Sequence, residues 1–588
     1  MITTSHAPLP GTTAGPPEQP RLTLPQPPDD VEKYSYLQRN LPYLTTILAI
    51  SATCLIISQI RFETQDPALW PFMAFTGSYA LYQVVCLPVN FTGRGFDLAA
   101  HQVRVQGWSP PAYPDVDVYL PICGEPIEML RNTWTAVCGL LEAYQGRIQA
   151  YVLDDGPSDE ARELAASLGL DYIRRPGQRV HKKSGNLRYA FACTTSEYIV
   201  IFDADFAPRP DFLAETLPYM DDPSLAIVQT PQFFREGPDQ SWLENAAGSV
   251  QEVFYRSIQV ARERFGAAVC VGTSALYRRK ALEAQGGAAL IPYAEDVHTG
   301  LGVMRDGWSI TYIPIILAAG ICPNNLDAFV RQQYRWCAGN VGIVCSSRLW
   351  KVKMSLPARL TFISGFFYYV YTALVIFFGP LLPVVMLAFL PDAIRLRNFV
   401  ILIPAFVVGA VLYPLWHRAP YGPTVWPLGI ARGWAHVFSL WDGVRGKSMS
   451  WHPTRTPGSS LPRFRIGVTW WSGGMAFRPA THLIGIDSRS ARVRTRAKSP
   501  CSRDRTAMLD QSVTPSWRRR RSSATTACAW HVPSATWTSW ILPWHKVSRR
   551  PKSPPGPSIA RCRSIRMGCA VFMRSILAAI RWLAASMM

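Results

Sequence analysis

The sequence predicts an α/β domain, built on a largely parallel sheet, inserted between transmembrane α-helices. Three observations carry that expectation. Long uncharged apolar runs flank a stretch from about 92 to 355 in which none recurs. Within that stretch short apolar strands alternate with helical periods, the pattern of a parallel sheet with crossover helices. Charged residues make up only 17% of the chain, against ~25% in soluble domains, with 48% apolar residues and 20 tryptophans.

Taken in order, residues 1–35 are expected to form a disordered cytoplasmic leader, because Met1 to Asp30 is rich in Pro, Thr and Gly and lacks the basic and apolar regions of a cleaved signal peptide. Within 36–91, the uncharged runs Tyr43 to Ile60 and Leu69 to Phe91 are long enough to cross ~30 Å of hydrocarbon at ~1.5 Å per residue, and predict a helical hairpin. After the domain, Leu360 to Leu390 is uncharged but too long for one perpendicular span and contains Gly379-Pro380. It is read as an interfacial, aromatic-rich part, Phe366 to Tyr371, running into a third span. Phe399 to Trp416 supplies the fourth. Two spans on each side keep leader, domain and the segment from His417 onward on one face, and the Lys/Arg distribution makes that face cytoplasmic.

Charge excludes further classes. Residues 478–588 hold 21 Lys/Arg against Asp487, Asp504 and Asp510, whereas residues 1–477 hold 39 Lys/Arg against 37 Asp/Glu. The body is therefore nearly neutral, and no nucleic acid is expected as a partner. The basic tail begins abruptly after Phe477, where acids nearly vanish and Arg, Ser, Pro and Trp dominate. Residues 457–588 are read as a truncated span and a tail produced by a reading-frame shift, the alternative being a native basic tail on anionic lipid. The 13 cysteines include no C-x-x-C pair or zinc-like spacing, consistent with a reduced compartment.

The chemistry concentrates at strand ends. Val116 to Pro121 reads as a strand followed by the helix Ile127 to Ala143, with Glu125 in the turn. Ala150 to Leu153 ends in Asp154-Asp155-Gly156, and Tyr198 to Phe202 ends in Asp203-Ala204-Asp205. Ligands of open parallel sheets bind at the carboxyl ends of strands, which brings these acids to one rim. An Asp-x-Asp there can hold a hard divalent cation through oxygen, and the cation can hold a diphosphate. Either acidic pair alone is equally a turn signal. His181 to Leu187 opens a helix whose lysines and N-terminal amides suit a phosphate. No G-x-G-x-x-G or Walker motif is present, so dinucleotide and P-loop readings lack support. Asp296 can serve as a general base, or as a helix N-terminal acid. Gln332, Arg335 and Trp336, at i, i+3 and i+4, share one helical face beside the membrane, where they can meet a phosphorylated sugar or anchor the helix to headgroups.

Taken together, Asp-Val-Tyr-Leu-Pro-Ile-Cys-Gly-Glu-Pro, Val-Leu-Asp-Asp-Gly, Lys-Lys-Ser-Gly-Asn-Leu, Phe-Asp-Ala-Asp-Phe, Gln-Thr-Pro-Gln-Phe-Phe, Ala-Glu-Asp and Gln-Gln-Tyr-Arg-Trp resemble, in order and spacing, the motifs of bacterial cellulose synthase catalytic subunits and their cellulose synthase-like relatives, the membrane-bound processive family 2 glycosyltransferases. The resemblance spans roughly 36 to 456 and implies a GT-A (Rossmann-like) glycosyltransferase domain over 92–355, with a transmembrane, interfacial and gating segment over 356–456.

By that resemblance Asp154, Asp155 and Glu125 contact the nucleotide of a UDP-sugar donor, Lys183 and Arg335 its diphosphate, and Asp203 and Asp205 a magnesium or manganese ion. Asp296 is the general base, Gln332 belongs to the same donor-side helix, and Trp336 is the stacking platform at the mouth of a glucan channel. Thr273, within Val271 to Ser274, faces the acceptor glucan, and Trp451 and Thr454 belong to a gating segment. The implied reaction is inverting transfer of glucose from UDP-glucose to a growing β-1,4-glucan at the inner membrane, with the lipid bilayer and accessory secretion subunits as partners. The alternatives are a non-processive transfer to a lipid phosphate and an inactive membrane subunit. Two departures stand out: Ile122-Cys123-Gly124 replaces a more polar tripeptide, and Ala294 stands where Thr is usual. Nothing resembles a PilZ cyclic-dinucleotide module.

Overall fold

The computed structural model describes residues 24–37, 41–91, 95–156, 158–177, 180–238, 240–291 and 294–446. The gating residues Trp451 and Thr454 and the tail from 457 lie outside them.

Seven strands form the main sheet: β1 (Val116–Ile122), β2 (Ile148–Asp154), β3 (Asp171–Arg174), β4 (Tyr198–Ile201), β6 (Leu225–Gln229), β8 (Ala275–Arg278) and β9 (Ser309–Tyr312), in the order β3-β2-β1-β4-β8-β6-β9. A smaller sheet joins β5 (Phe206–Pro208), β10 (Ala318–Gly320) and β7 (Phe233–Phe234) in the order β5-β10-β7. The strands β3, β2, β1 and β4 run parallel, β8 is antiparallel to β4 and β6, and β9 is parallel to β6. Every residue of β1 and β4 is buried, as expected of strands covered on both faces. Asp117, buried inside β1, is neutralised by Arg279 at 2.7 Å. Because β1 pairs with β2 on one side and β4 on the other, strand order reverses there and opens a crevice at the carboxyl ends.

Among the described residues, four helices are long and apolar enough to cross a membrane: Tyr43–Glu63, Leu69–Val89, Leu356–Phe389 and Leu396–Trp416. The third, Leu356–Phe389, is one continuous helix through Pro380 and Pro383, so the Gly379-Pro380 pair does not interrupt it. At ~1.5 Å per residue, its 34 residues exceed the hydrocarbon thickness, and the excess is used inside the protein. Ala358, Phe362 and Phe366 are buried in one cluster with Val269, Val297 and Ile343 of the α/β domain. Further along, Tyr371 packs against Tyr79 and Tyr82, with ring centroids 4.7 and 5.8 Å apart.

Residues 24–35 were expected to be disordered, and here the structure differs. Asp29 caps a one-turn helix, Asp30–Lys33, through a reciprocal bond with Glu32. Buried Lys33 donates to Asp211 (2.8 Å) and Glu215 (2.5 Å), and His101 bonds the second Glu215 oxygen at 2.6 Å. Arg235 pairs with Glu32, and the Tyr36 ring meets Phe233 edge-on at 5.6 Å. This strap is held by ion pairs and one aromatic contact, so its polar composition does not leave it unpartnered.

An unforeseen helix, Val425–Val444, packs beside Leu326–Cys345: Tyr334 donates to Asp442 (3.2 Å) and Ser439 donates to the Tyr334 carbonyl (3.2 Å).

Candidate active site

The crevice opens into a cavity of about 970 Å³ lined by Glu125, Asp155, Lys183, Asp203, Asp205, Asp296, Gln332, Arg335 and Trp336. Nine of the residues singled out in the sequence thus meet in one space. Two others stand behind it, which corrects their assignment as substrate contacts.

Asp154 is fully buried and accepts hydrogen bonds from the Gly156 amide (2.8 Å), the Ser158 amide (3.1 Å) and the Tyr172 hydroxyl (2.5 Å). Successive residues of a strand point to opposite faces. Asp154 accordingly shapes the turn, and its neighbour Asp155 reaches the cavity. Thr273 is also fully buried, and its hydroxyl accepts from the Asp203 amide at 2.9 Å. It fixes the backbone of the Asp-x-Asp segment from behind.

Glu125 curls back so that its carboxylate accepts from the Cys123 amide at 2.6 Å. Burial, reinforced by the Asp203 and Asp154 carboxylates, raises it above the usual carboxylate range although backbone amides pull the other way. Lys183, in the first turn of the helix Lys182–Cys193, donates to Asp203 (2.5 Å) and to the Gly272 carbonyl (3.0 Å). Burial would lower its pKa, but the carboxylates of Asp203, Glu295 and Asp296 outweigh it and keep the ammonium charged. A permanent cation beside the strand-end acids suits a diphosphate.

Asp296 lies in the first turn of Glu295–Arg305, after Ala294 in a left-handed conformation, φ 53°. Its carboxylate accepts from the Val297 amide at 2.8 Å. Burial, assisted by Glu295, raises its pKa to about 7, against the opposing Val297 amide and Lys183. A carboxylate tuned near neutrality is what a general base requires. Gln332, Arg335 and Trp336 face it from Leu326–Cys345, and the Gln332 Oε1 is buried without a partner in the protein.

Two glutamines escaped sequence reasoning as supports. Gln229, fully buried at the end of β6, donates to the Thr273 carbonyl (2.9 Å) and accepts from the Val271 amide (2.9 Å), so it holds the 271–274 loop. Gln232 donates to the Val271 carbonyl (3.3 Å) and accepts from Tyr255 (2.5 Å). The signal was there in Gln229, a polar residue closing an otherwise apolar strand. From this rim the cavity continues between the apolar helices, past Tyr82, Tyr368, Tyr369, Tyr413 and Arg432.

Among the described residues no cluster of three or more His, Cys, Asp or Glu side chains could hold a metal ion by itself. Asp203 and Asp205 still fit a hard cation. They offer oxygen donors at the cavity wall, and an ion such as magnesium commonly takes only one or two protein carboxylates, completing its shell from phosphate and water.

The model of the family described as "Glycosyl transferase family group 2" matches residues 198–412, from β4 into the fourth apolar helix. The cellulose synthase catalytic subunit [UDP-forming] of Pseudomonas fluorescens is 32% identical over 315 residues, covering 51% of this chain and 42% of that protein. Cellulose synthase 1 of Komagataeibacter xylinus is 34% identical over 262 residues, covering 44% of this chain and 17% of that protein. Residues 198–412 thus match a family 2 glycosyltransferase model, and the chain is similar over part of its length to cellulose synthases. It spans less than half the length of these curated relatives. Among solved structures, the mannosyltransferase PcManGT from Pyrobaculum calidifontis in complex with GDP-Man and Mn2+ aligns at 18% identity with a TM-score of 0.43, over 64% of this chain and 98% of that one.

One departure of the sequence from that family's pattern has a geometric counterpart. Gly339, one turn beyond Trp336, lies so close to Ala294 that a Cβ at position 339 would fall 2.4 Å from the Ala294 methyl. Small residues on both sides let the helix carrying Trp336 approach the turn carrying Asp296.

Proposed function

We propose that this chain is an inner-membrane, inverting, processive glycosyltransferase that moves glucose from UDP-glucose to the non-reducing end of a β-1,4-glucan, with its α/β domain on the cytoplasmic side. The observation that carries this reading is the single cavity. Strand-end carboxylates, a base and an indole line it, and it continues between helices long enough to cross a bilayer.

The residues divide the work. Asp296 takes the proton of the acceptor hydroxyl as that oxygen attacks the anomeric carbon, inverting it. The bond from that carbon to the β-phosphate oxygen breaks, and UDP departs. Lys183 and Arg335 supply fixed positive charge to the departing diphosphate, the kind of preorganised stabilisation that contributes most to such steps. Asp155 and Glu125 orient the nucleotide end, and Trp336 offers a flat face on which the terminal sugar of the acceptor stacks. A magnesium or manganese ion held by Asp203 and Asp205 would neutralise diphosphate charge when bound.

A panel of radiolabelled UDP-sugars supplied to purified membranes, with linkage analysis of the product, tests the reading. The expected result is a β-1,4-linked polymer from UDP-glucose. A lipid-linked monosaccharide would replace the processive reading with single-sugar transfer, and absence of UDP release with every donor would make the chain a non-catalytic membrane subunit.

A further inference from the structure

We propose that Arg175 is a positioning residue that couples Asp155, at the nucleotide end of the site, to Lys183, at its diphosphate end, so that the two ends of a UDP donor are bound cooperatively. The inference rests on the donor reading above and adds a part that neither motif spacing nor resemblance singled out.

Arg175 directly follows β3 and is buried. Its Nε and one terminal nitrogen both approach the same Asp155 oxygen, at 2.9 and 2.7 Å. That terminal nitrogen also donates to the Lys182 carbonyl at 3.3 Å. The other terminal nitrogen lies against Gly185, where a Cβ would fall 2.7 Å from it. One planar guanidinium therefore touches the end of β2 and the first turn of the helix Lys182–Cys193 together.

That first turn is held in an unusual conformation. His181 and Lys182 have φ of 58° and 51°, left-handed values that non-glycine residues seldom adopt and that persist only where surroundings enforce them. The enforcing contacts are the Arg175 bond to the Lys182 carbonyl, the Ser184 hydroxyl on the His181 carbonyl (2.7 Å) and Asn186 on the Leu153 carbonyl (2.6 Å). Lys183 comes next, aimed at Asp203 and the Gly272 carbonyl. A shift of Asp155 is thus passed through a rigid fork to the turn that aims Lys183. Lysine keeps the charge but lacks the fork, so it cannot bridge both partners.

The test is UDP binding by calorimetry on the full chain in detergent, with D155N, K183A and their double variant, repeated in an R175K background. The expected outcome in the wild-type background is non-additivity: the double variant loses about fivefold less affinity than the product of the single losses, as directly coupled sites do. R175K should weaken UDP about tenfold, leave the melting temperature within a few degrees, and render the two losses multiplicative. Multiplicative losses in the wild-type background overturn the proposal, as does coupling that survives R175K. Should R175K not fold, R175Q, which keeps a planar polar head too short to bridge both partners, is expected to give the same loss of coupling, while the wild-type cycle still decides. A wild type that binds no UDP would instead refute the donor reading.

Discussion

Gly272 and Asp296 are in contact: a Cβ at position 272 would lie 2.8 Å from the Asp296 Cβ and 3.2 Å from its Oδ2. Gly272 has φ +79°, and its carbonyl accepts from Lys183. One glycine therefore sets the spacing between Asp296 and Lys183, the residues proposed as base and as diphosphate cation. Gly272→Ala adds a methyl with no room and strains the backbone. Polymer synthesis should fall at least about tenfold, since misplacing a reacting group by ~1 Å can cost up to a hundredfold. UDP affinity should fall less than about threefold. Label incorporation and calorimetry, run side by side, check the split; equal losses in both would mean that the loop serves the donor and not the base.

The pH dependence follows from Asp296. A base must be ionised to accept a proton, and this carboxyl titrates at about 7. Synthesis at saturating donor should rise with pH through that value and fall about tenfold per unit well below it. Asp296→Asn should abolish synthesis at every pH while UDP still binds. Full wild-type activity at pH 5 would contradict the assignment.

Adjacent carboxylates should respond differently. Asp154→Ala strips acceptors from Gly156, Ser158 and Tyr172, each worth about 1 kcal/mol or more when buried, and should lower the melting temperature. Asp155→Ala should weaken UDP more than it lowers the melting temperature. Thermal unfolding and calorimetry on both variants distinguish them; a reversed pattern would return Asp154 to the donor.

Trp336→Ala should shorten the product without preventing UDP binding, because its face serves the acceptor. Sizing of the radiolabelled glucan gives the readout. An unchanged length distribution would leave Trp336 with the headgroup-anchoring role.

Much of the site was legible because carboxylates at strand ends need only the strand boundaries, and β1, β2 and β4 begin and end within two residues of their sequence-based limits. Which of Asp154 and Asp155 faces the cavity was not legible, since a one-residue difference in where the strand ends exchanges the two. The helix Val425–Val444 was hidden for a different reason. Arg432, His436 and Asp442 interrupt its apolar character, and such polar groups acquire partners only in the fold, as Asp442 does from Tyr334. The strap was missed because composition reports no partners. Lys33 and Tyr36 acquire their meaning from Asp211, Glu215 and Phe233, far along the chain.

Lys33→Met should accordingly lower stability by about 3 kcal/mol, as when one partner of a buried pair is removed. Burial alone would raise the Asp211 and Glu215 carboxyls, but bonds from Arg209, His101 and Lys33 outweigh it and hold both below their ordinary values. Their contribution is present at neutral pH and is lost as pH falls below the usual carboxylate range. Thermal unfolding at pH 7 and pH 2.5 should therefore show a larger effect of the variant at pH 7.

The strap also orders the protein's assembly in time. Lys33 is synthesised 178 residues before Asp211 and 182 before Glu215, and the first two apolar helices are made in between. If those two helices cross the bilayer as proposed, contact of residue 33 with residues 211 and 215 requires that they insert as a pair. Until Asp211 and then Glu215 have been synthesised, Lys33 lacks the carboxylates that accept from it. Closure of the strap is then the step at which a nascent domain becomes fastened to helices already in place.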